Sequence, residues 1–192
     1  MSQIHADDSK TSLGFWIYLM TDCVLFASLF ATFAVLRSGV WDGPSGAEIF
    51  NIPYVWTQTM LLLASSLTCG LAIIAARDHN RRKTLKLLAV TGLLGLAFLG
   101  MEAYEFTKLV TEGYSWQRSG FLSAFFTLVG MHGLHITIGL IWLVDLTRRI
   151  WTKGSTATSL KRLTLFSYFW HFLDIIWIFI FTIVYLMGVS TI

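Results

Sequence analysis

Seven ionisable side chains stand inside long apolar runs: Asp22, Glu102, Glu105, His132, His135, His171 and Asp174, with Asp145 close to the end of its run. His132/His135, His171/Asp174 and Glu102/Glu105 are each three residues apart, so on a helix the members of each pair share a face. Imidazoles and carboxylates so placed suit three kinds of chemistry. They can ligate a metal or haem, as His132 and His171 could by flanking a haem from two helices. They can carry protons. They can also hydrogen-bond across helices, or to lipid headgroups or a partner subunit, and so fix packing. Two histidine-containing pairs without further ligands are a weak metal signal, and packing is the favoured reading. The residues alone leave all three open.

The elements that must position these groups are membrane spans. Of 192 residues, 55% are hydrophobic and 13% charged, where a soluble domain carries roughly a quarter charged; mean hydropathy is +0.66. Five segments have the ~20 apolar residues needed to cross a hydrocarbon core, at approximately 14–36, 55–76, 85–106, 120–146 and 163–188. Each is expected to be helical, because unpaired backbone is too costly in lipid. The chain is thus expected to be an all-α integral membrane protein, a single five-helix transmembrane domain over 14–192 behind a tail at 1–13. The linkers SGVWDGPSG, RDHNRRK and TKGSTATS are short and rich in turn formers, leaving no room for a soluble domain. No internal repeat marks a transporter architecture, and the polar start MSQIHADDSKTSLG shows no removable signal peptide.

Lys and Arg set the expected orientation. Lys10, five basic residues at 77–86 and five at 148–162 lie on one side; only Arg37, Lys108 and Arg118 lie on the other. Eleven against three puts the N-terminus in the cytoplasm and the C-terminus in the periplasm. The net charge of +3 and pI near 9.0 therefore report topology, and no nucleic-acid partner is expected. Cys23 and Cys69 lie in apolar runs and are expected to pack as small apolar side chains. Ser65/Cys69, Ser66/Gly70, Gly92, Gly95, Gly100, Gly130, Gly133 and Gly139 are expected to let helices approach closely. Trp16, Trp41, Trp56, Trp116 and Trp151 fall near span ends, as interfacial anchors do.

At 1.5 Å per residue, Asp22 and His171 lie about 12 Å from a cytoplasmic helix end, His135 and Asp174 about 16 Å, and His132 about 21 Å. Five polar residues from three helices would share one slab. Glu102 and Glu105 fall on the opposite side, near the outer end of span three.

HGLHITIG at 132–139, FWHFLDIIWIF at 169–179 and EAYEF at 102–106 resemble, in order and separation, three helices of subunit III of the haem-copper terminal oxidases. GFWIYLMTDCVLF at 14–26 and RSGFLSAFFTLVGMHGLH at 118–135 are similar to its quinol-oxidising, cytochrome bo-type branch. The likeness covers nearly the whole chain after about Leu13. It implies a complex of the bacterial inner membrane that oxidises ubiquinol, reduces oxygen to water and pumps protons in aerobic respiration. It implies as partners subunits I, II and IV and phospholipid, with haem b, haem o and copper in subunit I and ubiquinol bound by the complex rather than clearly by this chain. No catalytic, cofactor-binding or metal residue is then expected here, since His132, His135 and His171 match positions that are not ligands in that family. Glu105 matches a buried acid near bound lipid, while at Glu102 the cytochrome c oxidase branch typically has glutamine.

On this likeness, His132, His135, His171 and Asp174 are expected to satisfy one another between spans four and five, with Asp22 near them, and to keep the subunit docked on subunit I. A supporting role in proton uptake stays open. The alternative is an independent transporter or b-type cytochrome built on the buried His/Asp cluster. The topology is directly testable: reporter fusions after Asn80 and Thr156 should give cytoplasmic signals, and fusions after Ser45 and at Ile192 periplasmic ones. A periplasmic signal at Asn80 would overturn the orientation.

Overall fold

The computed structural model describes residues 2–37, 51–114, 116–154 and 156–190; the expected linker at 38–46, with Trp41, lies outside them. Five long helices are present: α1 (Ser2–Leu36), α2 (Ile52–Arg77), α3 (Arg81–Thr111), α4 (Gly120–Lys153) and α5 (Ala157–Ile180). A π-helical turn, Phe181–Leu186, extends α5 into a short α6, Met187–Ser190. All five long helices are long and apolar enough to cross a membrane.

They outrun the apolar segments. α3 begins four residues before 85, α4 continues seven beyond 146, and most of the expected tail at 1–13 is already helical. Hydropathy marks only the stretch that lipid must cover, whereas capping groups decide where the backbone stops. Asn51, Asn80, Ser119 and Thr156 each accept a hydrogen bond at the N-terminus of the helix that follows, from Tyr54, Lys83, Leu122 and Ser159 backbone N–H respectively, the arrangement favoured by short polar side chains there. At the C-terminus of α3, Gly113 has φ +85°, and Tyr114 N–H returns to Leu109 O at 2.9 Å. α2 ends in the same motif, with His79 at φ 53° in the glycine position and Asn80 N–H returning to Ala75 O at 3.0 Å. Three residues, 78–80, then suffice to join α2 to α3.

α2, α3, α4 and α5 close a ring in which each packs on the next and α5 returns to α2, while α1 lies outside it against α4 and, more lightly, α5. Within a bilayer there is no hydrophobic drive between helices, so shape and hydrogen bonds must hold them. Trp170 of α5 shows how. A Cβ on Gly95 would sit 3.0 Å from its indole, and one on Gly139 only 2.8 Å away, so the two glycines form the slot that admits the ring. Its Nε1 donates to Ser65 Oγ at 3.1 Å, and Ser65 donates onward to Thr91 O at 3.0 Å.

Gly92 faces Leu143 and Gly133 faces Glu102 in the same close manner. Gly70 and Gly100, by contrast, look into open space, because small residues at helical spacing need not all face a neighbour. Cys69 is buried, but Cys23 is exposed on α1, contrary to the packed position expected for it. Trp16, Trp56, Trp116 and Trp151 are all exposed, as side chains at a membrane interface are.

Candidate functional site

The buried polar side chains resolve into separate contacts rather than one shared cluster. On α4, His135 Nδ1 lies 2.8 Å from Met131 O one turn earlier. A carbonyl only accepts, so Nδ1 carries a proton. His135 Nε2 then faces Asp22 Oδ2 of α1 at 3.6 Å, with both side chains 8% exposed. Phe26, completely buried, covers the His135 ring at 5.2 Å. This contact latches α1 to the ring of helices.

His171 points elsewhere. Its Nδ1 lies 2.5 Å from Ser66 Oγ on α2, and Asp174, one turn along α5, approaches the same hydroxyl. The expected mutual satisfaction of four side chains between α4 and α5 is therefore corrected: His135 is held by α1, and His171 with Asp174 by α2. The physical reason is that i,i+3 spacing fixes a shared face but not the helix opposite it.

His132 has no solvent exposure. It stacks on Trp177 at 5.2 Å and meets Phe98 edge-on at 5.9 Å. Neither ring nitrogen has a hydrogen-bond partner among the described residues. Glu102, only 3% exposed, rests against the backbone beside it: a Cβ on Gly133 would fall 2.5 Å from Glu102 Oε1. Glu102 thus reaches the level of His132 instead of lying in a distant outer layer. The helix lengths explain this, since Glu102 is 21 residues from the start of α3 and His132 is 21 residues from the end of α4. Glu105 accepts a hydrogen bond from Tyr185 Oη at 3.2 Å, with buried Gln58 beside it. It also lines a cavity of about 340 Å³ with Asn51, Tyr54, Tyr104, Lys108 and Leu109. Asp145 is a surface group, paired with Arg149 at 2.6 Å.

As metal or haem ligands these residues are poorly arranged. His135 and His171 have a ring nitrogen committed to Met131 O and Ser66 Oγ, and His132 is stacked among aromatic rings. Their neighbours belong to different helices, and no three His, Cys, Asp or Glu side chains among the described residues could hold one ion. What the arrangement does chemically is join helices. Thr59, Gln58, Tyr185, Trp170 and Trp177 belong to it and escaped the sequence reading, as did the hydrogen bonding of Ser66, which the sequence marks only as a small residue. Their signal was a hydroxyl-bearing α2 opposite two tryptophans seven residues apart on α5, since Trp177 Nε1 donates to Thr59 Oγ1 at 3.0 Å.

Known proteins share this sequence along most of its length. The family model described as cytochrome c oxidase subunit III matches residues 5–189. Cytochrome bo(3) ubiquinol oxidase subunit 3 of Pseudomonas aeruginosa is 56% identical over 186 residues, covering 96% of this chain and 89% of the relative. Its counterpart in Pseudomonas putida is 52% identical, with 96% and 89% covered. Cytochrome c oxidase subunit 3 of Bacillus sp. (strain PS3) is 46% identical, with 92% and 85% covered.

The separate pairings have a measurable consequence. In a double-mutant cycle on unfolding in mixed micelles, Ser66→Ala and His171→Ala should couple by about 0.6 kcal/mol and at most ~1.7 kcal/mol, the range for hydrogen bonds between membrane helices. His132→Leu and His171→Ala share no partner and should be additive. Coupling of equal size in both cycles would restore the single cluster.

Proposed function

Because the chain belongs to the cytochrome c oxidase subunit III family, we propose that it is subunit III of a cytochrome bo(3)-type ubiquinol oxidase. The complex is a haem-copper oxidase that oxidises ubiquinol and reduces oxygen to water in aerobic respiration, translocating protons as it does so. This subunit is non-catalytic. The observation that carries the reading is the 56% identity, over nearly all of both chains, to a ubiquinol oxidase subunit 3, against 46% to a cytochrome c oxidase subunit 3.

In this assignment the partners are oxidase subunits I, II and IV, and haem b, haem o and copper reside in subunit I. The residues of this chain support that division, since their imidazoles serve contacts between helices. The five helices lie in the bacterial inner membrane, with the basic 77–86 and 148–162 segments in the cytoplasm and the C-terminus in the periplasm. Asp22, Glu102, Glu105, His132, His135, His171 and Asp174 act structurally: they fix α1, α2 and α5 around α3 and α4, and through them the surface on which subunit I docks.

Affinity purification of the tagged chain from membranes tests this. The chain should bring down a haem- and copper-containing subunit with ubiquinol oxidase activity, and it should show no Soret band when purified alone. A haem spectrum in the isolated chain that His132→Ala or His171→Ala abolishes would overturn the reading and favour a b-type cytochrome.

A further inference from the structure

Antiparallel α2 and α3 are joined by direct hydrogen bonds on either side of Gln58. Tyr54 Oη donates to Met101 O at 2.8 Å, and Ser65 Oγ to Thr91 O at 3.0 Å. Gln58 itself has no solvent exposure, and neither its Oε1 nor its Nε2 has a hydrogen-bond partner among the described residues. Glu102 on α3 is 3% exposed, and its Oε2 is likewise unpartnered among them. Helical side chains lean toward the N-terminus of their own helix. Gln58, one turn after Tyr54, and Glu102, one residue after Met101, therefore lean toward each other's level from opposite helices.

Both meet the same neighbours. Gln58 stands beside Glu105, and Tyr185 lies within electrostatic reach of Glu102 and Glu105 alike. Tyr185 donates to Glu105 at 3.2 Å from the π-helical turn Phe181–Leu186, an irregularity that recurs at functional sites. Glu105 in turn lines the cavity of about 340 Å³ with Tyr54 and Lys108, at the end of α3 that runs past the apolar segment 85–106. A water molecule takes only ~30 Å³ of liquid volume, so the cavity can bring solvent up to Glu105.

The unsatisfied atoms select their ligand. Gln58 presents an acceptor at Oε1 and donors at Nε2, and Glu102 an oxygen that accepts when ionised and donates when protonated. A cation would serve the oxygens and leave the Gln58 N–H groups unmet. An anion would serve those N–H groups and oppose two carboxyls, and an acyl chain would serve none of them. Water donates and accepts, and is the usual partner of polar groups that the fold buries unpaired. We propose that Gln58 and Glu102 form a binding site for ordered water between α2 and α3, and that this water exchanges with the aqueous phase through the cavity beside Glu105. It joins the two helices at the level that Tyr54 and Ser65 leave open.

The test is a cryo-electron-microscopy map of the assembled complex, at a resolution that shows ordered water, paired with hydroxyl-radical footprinting in heavy-oxygen water. The map should show one peak, or two in contact, linking Gln58 to Glu102 with every step within about 3.2 Å. Tyr185 and Trp170 are both buried, yet only Tyr185 should take up the label. Gln58→Leu, which keeps the bulk but removes donor and acceptor, should lose both the peaks and the Tyr185 label. Gln58→Asn, which keeps both groups, should retain them. Peaks that survive Gln58→Leu overturn the proposal, as does a Gln58 amide bonded directly to a carboxyl with no peak between them. A peak contacted by oxygen atoms alone at about 2.3–2.6 Å would mark a cation instead, and elongated density reaching Gln58 would mark an acyl chain; either overturns it. An unlabelled Tyr185 in the unmodified complex overturns the exchange.

Discussion

Between α2 and α5, a line of contacts runs over residues 56–66 of α2 and 170–181 of α5 and its π-helical extension. Trp56 meets Phe181 at 6.0 Å, Thr59 accepts from Trp177, Ser65 accepts from Trp170 and Ser66 pairs with His171. Residue numbers rise along α2 as they fall along α5, so the two helices are antiparallel and in register through these side chains. More than a hundred residues separate the members of each hydrogen-bonded pair, and short loops cannot bring them together. The four-helix ring closes only because this seam forms, and the slot between Gly95 and Gly139, the aromatic wall around His132 and the anchoring of Glu105 by Tyr185 all depend on that closure. In lipid the energy per bond is small, so the seam works by number and by shape complementarity.

α1 depends on the ring differently. It touches α4 through Asp22–His135 and Phe15–Trp142, and α5 through Tyr18–Phe169. Its other face, with Leu13, Ile17, Met20, Val24 and Val35, is exposed and apolar, as a helix bordering lipid or another membrane subunit must be.

Much of this was legible in the sequence. The five spans follow from hydropathy, and the family from ordered motifs such as HGLHITIG and FWHFLDIIWIF. The pairing of the polar groups was not legible, because periodicity tells which residues share a helix face without telling which helix lies opposite. His171 was therefore expected to meet α4 when it meets Ser66 of α2. Depth failed for a related reason: apolar runs end before their helices do, so Glu102 looked remote from His132 although both stand 21 residues from adjacent helix ends. Hydroxyls on α2 read in a sequence only as small or self-bonded side chains, since serine and threonine in membrane helices commonly bond to their own backbone, as Thr59 also does to Val55 at 2.9 Å.

The central claim is that the buried carboxylates and imidazoles hold the subunit together and take no part in turnover. The most direct measurement compares Asp174→Asn with Asp174→Leu in the whole complex, recording both the subunit III retained per haem and the ubiquinol oxidation rate per assembled complex. The amide can still hydrogen-bond near Ser66, so Asp174→Asn should retain the subunit almost fully. Asp174→Leu leaves its partners unpaired, at about 1–3 kcal/mol each, and should shed it, while the complexes that stay intact turn over at close to the normal rate. Full retention of the subunit with turnover abolished by Asp174→Asn would contradict the account, because the carboxyl's proton would then be essential to the reaction.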